Sequence, residues 1–284
     1  MTYKEYPYQP LILIGAGRSG TKILRDVLGS HAEIDVVPFD VNYIWTLGQP
    51  KTSHDALSSD NLTEGSRRKI LSQFGKLSKG APLLLEKTVS NTLRLPYVIK
   101  IFPDAKFIHL IRDGRDVTES VSRQWGESRE LSYFFKKLKT FPVRYAFSYL
   151  MDYGLNWLRH RLGMKSKENY IWGVKYPGYD TDLATKSVLE VCATQWRVCV
   201  ETSLRQFEQI SQDRQLEVRY EDIMTNPTKT LARVAHFIGV DPDGFSSSRF
   251  SPRHIGKHKT ALSKVELSQI MQILTPTLTK LNYI

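Results

Sequence analysis

The chain has 284 residues, 41% hydrophobic and 24% charged, with a formal net charge of +11. That balance describes a globular chain with a sizeable core, and it excludes a disordered polyelectrolyte. No apolar run approaches the roughly 18 residues that cross a bilayer.

Residues 1–10 lack the basic-then-apolar pattern of a signal peptide, so the chain reads as one soluble, cytoplasmic domain over 1–284. Leu11-Ile12-Leu13-Ile14 is a short apolar run that reads as a buried strand, with Thr21–Leu28 as the helix that follows. Gly15, Gly17 and Gly20 between them form a phosphate-binding turn, whose freed N–H groups at the helix start face an anion. The spacing from Gly15 fits G-x-x-x-x-G, but Thr21-Lys22 reverses the Lys-Ser/Thr order of a nucleoside-triphosphatase loop. The hydroxyl that would hold magnesium is out of place. The loop is therefore expected to take a 5′-phosphate-type anion without a metal. Lys22 is a second candidate cation, although it lies roughly 100° around the helix from Thr21, a direction that can equally face solvent.

Leu83–Leu85 is a second apolar run, ending at Glu86-Lys87, and Phe107–Ile111 a third, ending at Arg112. Leu216–Tyr220 is a weaker fourth. Each is followed by a segment of helical character, which predicts an α/β chain with a central parallel β-sheet flanked by helices. Ligands of such sheets bind outside the carboxyl ends of the strands, so Arg18, Glu86, Arg112 and Tyr220 converge on one rim. Arg112 and Ser120, eight apart across a strand–helix turn, can clamp one phosphate. The plainer alternative is a surface ion pair of Arg112 with Asp113 or Asp116. His109 reads as a hydrogen-bonded core residue and His31 as a structural one.

Between Phe134 and Lys167, eight basic residues (Lys136, Lys137, Lys139, Arg144, Arg159, Arg161, Lys165, Lys167) accompany one acid, Asp152. Such an excess suggests an anionic partner. The stretch 131–170 also carries ten aromatics, among them Tyr133, Phe134, Phe135 and Trp157. It is expected either to be core or to form a lid over an anionic glycan acceptor or a face that meets a membrane surface. Asp182–Phe207 reads as one long helix with an apolar stripe. Within it Cys192 and Cys199 lie about 10 Å apart along the axis, too far for a disulfide, and are expected as buried thiols. Asn226-Pro227 reads as an N-cap and first helical residue, and Ser263–Glu266 as a capping box.

Together these motifs resemble the sulfotransferases that use 3′-phosphoadenosine 5′-phosphosulfate (PAPS). Arg18-Ser19-Gly20-Thr21 is similar to the family's 5′-phosphosulfate loop, and Phe107–Ser120 to its 3′-phosphate motif. Arg219-Tyr220-Glu221-Asp222-Ile223 resembles a later segment whose tyrosine lies beside the adenine. Arg253 and Ile255-Gly256-Lys257 resemble a C-terminal segment that closes on the 3′-phosphate, with His258 where tryptophan is usual. Glu86-Lys87-Thr88 looks like the segment that supplies a glutamate base in glycan and other sulfotransferases.

The resemblance implies a P-loop-like sulfotransferase fold and transfer of a sulfuryl group from PAPS to a hydroxyl or amine of a small-molecule or glycan acceptor. The product would be 3′-phosphoadenosine 5′-phosphate (PAP), and no metal is required. Arg18, Ser19, Gly20, Thr21 and Lys22 would hold the 5′ side of the donor. Arg112, Ser120, Tyr220, Arg253, Gly256 and Lys257 would hold its 3′-phosphate and adenine. Arg18 would stabilise the leaving phosphate, and Glu86 would be the general base. Phe39, Tyr43 and Trp45 could line the acceptor pocket or simply pack. A P-loop kinase or nucleoside triphosphatase and a non-enzymatic polyanion binder are the alternatives. Against nucleic acid as a partner stands the lack of any recognisable nucleic-acid module.

Overall fold

A computed structural model of the chain describes residues 5–126 and 173–284. Residues 1–122 and 173–284 form one compact unit, and 123–172 a second. The basic, aromatic stretch 131–170 lies outside the described residues.

The first unit is built on a parallel five-stranded sheet in the order β2-β3-β1-β4-β5. Its strands are β1 (Gln9–Ile14), β2 (Ile34–Val36), β3 (Leu83–Glu86), β4 (Lys106–Ile111) and β5 (Gln215–Arg219). The helices in chain order are α1 (Thr21–Leu28), α2 (Asn42–Trp45), α3 (Glu64–Leu77), α4 (Leu95–Ile101) and α5 (Gly114–Gly126). After the undescribed residues come α6 (Tyr179–Thr185), α7 (Val188–Phe207), α8 (Tyr220–Thr225), α9 (Pro227–Ile238), α10 (His258–Ala261) and α11 (Lys264–Lys280).

Side chains alternate along a strand, so a strand buried on both faces must be apolar at every position. β1 meets that demand. Ile12 and Ile14 enter a cluster with Trp45, Phe74, Tyr97 and Phe102, whereas Leu11 and Leu13 enter another with Leu24, Val27, Leu231 and Val234. The chain leaves β1 toward β3 and β2, then crosses back over β1 to β4. That reversal puts the topological switch at the carboxyl end of β1, where an open sheet leaves its crevice. In register, Ile12 faces Glu86 on β3, Ile14 faces His109 on β4, and Ile111 faces Arg219 on β5.

The predicted strands are all present, with shifted ends and one addition. β2 is three residues long, too short to stand out as a periodic run. Tyr220 opens α8 rather than ending β5. The single helix expected over Asp182–Phe207 is two. α6 stops at Thr185, and Ser187 opens α7 with a capping box to Glu190. Asn226 does not cap α9 with its side chain, although Pro227 holds the first position. The Asn226 amide donates instead to the Thr225 hydroxyl at 3.2 Å. The Ser263–Glu266 capping box forms as expected, and both cysteines are free and buried. No helix among the described residues is long and apolar enough to cross a membrane.

His109 is buried on β4, bonded to the Ser203 hydroxyl at 3.0 Å and stacked on Phe207. Burial pushes its imidazole down to about 3, so it stays neutral. His31, also buried, accepts from Glu33 N at its Nδ1, which leaves Nε2–H to donate to Asp241 O at 3.2 Å.

The β4–α5 turn is fixed by Trp196 of α7, whose Nε1 donates to Arg112 O at 3.2 Å. Its ring lies so close to Gly114 that a Cβ there would stand 2.6 Å from a ring carbon. Gly114→Ala must displace a fully buried indole, an overpacking cost of about 1–3 kcal/mol. Urea denaturation should show that loss as a lower midpoint, and an unchanged midpoint would contradict this packing.

Candidate functional site

The loop after β1 is shaped by two left-handed residues, Arg18 (φ 67°) and Gly20 (φ 91°). Gly20 has a second reason to lack a side chain, because a Cβ there would sit 2.6 Å from the Tyr220 ring. No side chain caps α1, so its first-turn N–H groups remain donors at the mouth of the loop. Ser19 Oγ is buried without a hydrogen-bond partner among the described residues. Lys22 is not brought to this mouth. Its side chain is 72% exposed and pairs with Asp26 at 3.0 Å.

Arg112 follows β4 and is buried; the ion pair with Asp116 that the plainer alternative expects is present at 3.7 Å, but it is buried and not at the surface. Its Nη1 donates to Arg18 O at 3.0 Å and its Nη2 to His254 O at 2.7 Å. The guanidinium carbon lies 4.1 Å from the centre of the Tyr220 ring. Nε has no partner. Ser120, two turns along α5, accepts from Arg18 Nε at 3.0 Å. The two segments that sequence reasoning assigned to the two ends of one nucleotide are therefore bonded to each other.

Asp116, in the first turn of α5, fastens the third segment. It accepts from Gly256 N at 2.7 Å, from His258 N at 2.9 Å and from His258 Nδ1 at 2.6 Å. Burial pulls its carboxyl upward, yet the His258 side chain, these backbone donors and Arg112 outweigh burial and hold it below its ordinary value. His258, standing where the family resemblance expects tryptophan, is thus a buried anchor. It keeps Gly256 and Lys257 beside the Arg112 guanidinium. Arg253 in the same segment is exposed, with Nε 3.4 Å from the Ser251 hydroxyl.

Glu86 ends β3 and turns toward the opposite face of the sheet from Arg112. It is 2% exposed, so it is no surface partner of Lys87, which pairs with Asp40 instead. The carboxylate accepts from Trp45 Nε1 at 3.2 Å, from Asn91 Nδ2 at 2.8 Å and from the Thr88 hydroxyl. Burial pushes its pKa up to about 7 against the opposing pull of the Thr88 and Trp45 hydrogen bonds and of Arg94, while Asp40 adds to the rise. Trp45 is buried packing, whereas Phe39 and Tyr43 are partly exposed. Among the described residues no cluster of acids, histidines and cysteines could hold a metal ion.

Residues 10–161 and 158–244 match the model of the Sulfotransferase family. The chain belongs to the sulfotransferase family. A protein-tyrosine sulfotransferase of Drosophila melanogaster is 23% identical over 245 residues, covering 81% of this chain and 38% of that protein. Protein-tyrosine sulfotransferase 1 of Rattus norvegicus is 28% identical over 136 residues, covering 43% of this chain and 37% of the rat protein. The chain thus spans well under two thirds of the length of these relatives. Among solved structures, the sulfotransferase domain from the curacin biosynthetic pathway superposes with a TM-score of 0.51 at 18% identity, over 95% of this chain and 99% of that one. A sulfotransferase from Alicyclobacillus acidocaldarius gives 0.51 at 14% identity, over 97% and 94%. At these identities the likeness is one of fold.

Within this sulfotransferase fold, three contributors to the rim escaped sequence reasoning: Asp116 as an anchor, Asn91 and Arg94. Asp116 was legible only as an ion-pair partner of Arg112. Its carboxylate is what holds residues 256–258, so Asp116→Ala should free the Gly256 and His258 amides. Losing bonds to a charged group costs about 1.5–3 kcal/mol each, so native-state hydrogen exchange at those two amides should quicken by about tenfold or more. Unchanged protection at both would show that the segment is held by something else.

Proposed function

We propose that this chain transfers the sulfuryl group of PAPS to a hydroxyl of its acceptor, with Glu86 as general base and the β1–α1 loop holding the leaving phosphate. The observation that carries this reading is the pairing, at one sheet rim, of two unlike sites. One is a loop and guanidinium whose Ser19 Oγ and Arg112 Nε are buried without partners among the described residues, donors that suit an anion. The other is a buried carboxyl poised near neutrality.

PAPS supplies an activated sulfuryl group whose departure leaves negative charge on a 5′-phosphate. Preorganised N–H donors and a fixed cation can stabilise that charge in place of magnesium. In this chain the donors are the uncapped first turn of α1, with Ser19 and Thr21, and the cation is Arg18. Arg18 stays protonated at neutral pH, so its part is electrostatic. In this reading Arg112, Ser120, Gly256 and Lys257 would receive a 3′-phosphate, and Tyr220 would lie beside the base. Lys22 and Arg253 are less well placed, one tied to Asp26 and the other facing solvent. On the far face of the rim, Glu86 takes the acceptor proton as its oxygen attacks sulfur. A general base works best with a pKa near the working pH.

The acceptor class rests on two observations that point to different hydroxyls. The relatives named as protein-tyrosine sulfotransferases favour a phenol, and the resemblance of Glu86-Lys87-Thr88 to glycan-modifying members favours a carbohydrate. Transfer of labelled sulfate from PAPS to tyrosine peptides and to oligosaccharides, assayed side by side, separates them. Glu86→Gln should lower kcat by about 10²-fold or more with either acceptor. Protonation removes the base, so the wild-type kcat/KM should fall on the acid side of about 7, by about tenfold for each further pH unit. Transfer unaffected by Glu86→Gln, with a flat acid limb, would remove Glu86 from the reaction. Turnover of Mg-ATP instead of PAPS would replace the whole reading with a kinase.

A further inference from the structure

Glu86 is positioned by more than its burial. Its Oε1 accepts from Trp45 Nε1 and from the Thr88 hydroxyl. That hydroxyl itself accepts from Val41 N at 2.9 Å, so its one proton is aimed at Glu86. A carboxylate oxygen has two lone-pair sites, and on Oε1 both are taken. Oε2 accepts from Asn91 Nδ2 alone and keeps one site open among the described residues.

The orientation of Asn91 is dictated from behind. Arg94, fully buried, donates from Nε to Asn91 Oδ1 at 2.9 Å and from Nη2 to Asn42 Oδ1 at 2.6 Å. A guanidinium has donors and no acceptor. Asn91 must therefore turn its carbonyl to Arg94 and its NH2 to Glu86. The fork is held in turn from its far side. Asn42 Nδ2 donates to Asp55 Oδ1 at 3.1 Å, Arg94 Nη1 lies 3.4 Å from Asp55 O, and Lys175 N donates to Asp55 Oδ2 at 2.9 Å. The charged groups that face Glu86 are Arg94 and Asp40, and Lys87 beside it is tied to Asp40. Burial lowers Arg94 to about 10, which still leaves it charged at neutral pH.

We propose that Arg94 is a positioning residue that, through Asn91, fills one lone pair of Glu86 Oε2 and leaves the other as the site that receives the acceptor's proton. The inference rests on the reading of Glu86 as the base. In the step, the acceptor O–H proton moves to Oε2 as the acceptor oxygen bonds to sulfur. The bond from sulfur to the 5′-phosphate oxygen breaks, and its electron pair stays on the phosphate. Without Arg94 the Asn91 amide is free to turn its carbonyl to Oε2, and an acceptor in that place favours the protonated acid.

The test is the titration of the Glu86 carboxyl by difference infrared spectroscopy, its band assigned by its loss in Glu86→Gln, beside the pH profile of kcat/KM. Asn91→Asp keeps a partner for Arg94 but sets an oxygen against Oε2, and Arg94→Met removes the fork with little change in volume. In both, the infrared midpoint and the acid limb should move up by about one pH unit or more, a tenfold loss of carboxylate at pH values below the midpoint. Arg94→Lys should recover part of the shift. A purely structural role would lower thermal stability and leave the midpoint in place, and that result overturns the proposal. If Arg94→Met does not fold, Asn91→Asp decides the matter alone. Full sulfuryl transfer in Glu86→Gln would sink the base reading, while the infrared midpoints would still decide whether Arg94 and Asn91 govern this carboxyl.

Discussion

The rim of this sheet depends on one buried guanidinium. Arg112 binds the backbone of the β1–α1 loop through Arg18 O, binds the C-terminal segment through His254 O, and covers the ring of Tyr220. Three segments far apart in sequence meet on a group that cannot lose its charge. Asp116 lies 3.7 Å from Nη2 and holds Gly256 and His258, so the acid nearest to Arg112 is engaged elsewhere with three donors of its own. Breaking a buried set of this kind by removing one partner typically costs about 3–5 kcal/mol. Among the described residues the same arrangement leaves Arg112 Nε unpartnered, a donor that the function proposed assigns to an anion.

The two faces of the sheet divide the chemistry. Strand alternation sends Arg112 to the face with Tyr220, α8 and α9, and Glu86 to the face with Trp45 and α4. The Arg112 face, which the function proposed gives to the sulfuryl donor, is cationic and held by backbone carbonyls. The Glu86 face, which it gives to the acceptor, is a buried acid wrapped in neutral donors with one cation behind them. A carboxylate deep in an apolar cluster is costly to charge, and here the cost is offset only in part, which is why its pKa rests near neutrality instead of at either extreme. In the function proposed, that partial compensation is what makes Glu86 a base at physiological pH.

Much of the rim was legible because it is local. Each of Glu86, Arg112 and Tyr220 lies at the end of an apolar run, and the glycines of the β1–α1 loop announce a turn and an anion. Other parts are not local at all. Asp116 and His258 stand 142 residues apart, and no spacing rule joins them. Asn91 and Arg94 follow β3 as an ordinary polar stretch, and only the packing of α4 and α7 over that turn buries them. The break at Lys186-Ser187 is a different case. Ser187 and Glu190 carried a capping signal, but the apolar stripe from Leu189 onward made one helix look sufficient. Residues 131–170, with their eight basic side chains and their aromatics, lie outside the described residues.

The measurement that bears most directly on the central claim is calorimetric titration of the protein with PAP, beside AMP and Mg-ATP, in the presence of a chelator for the first two. In the function proposed, Arg112, Ser120 and the segment anchored by Asp116 receive a 3′-phosphate, and the loop works without a metal. PAP should therefore bind at least about tenfold more tightly than AMP, the worth of one charge-assisted hydrogen bond, and the chelator should change nothing. AMP binding as tightly as PAP, or binding only with Mg-ATP, would contradict it.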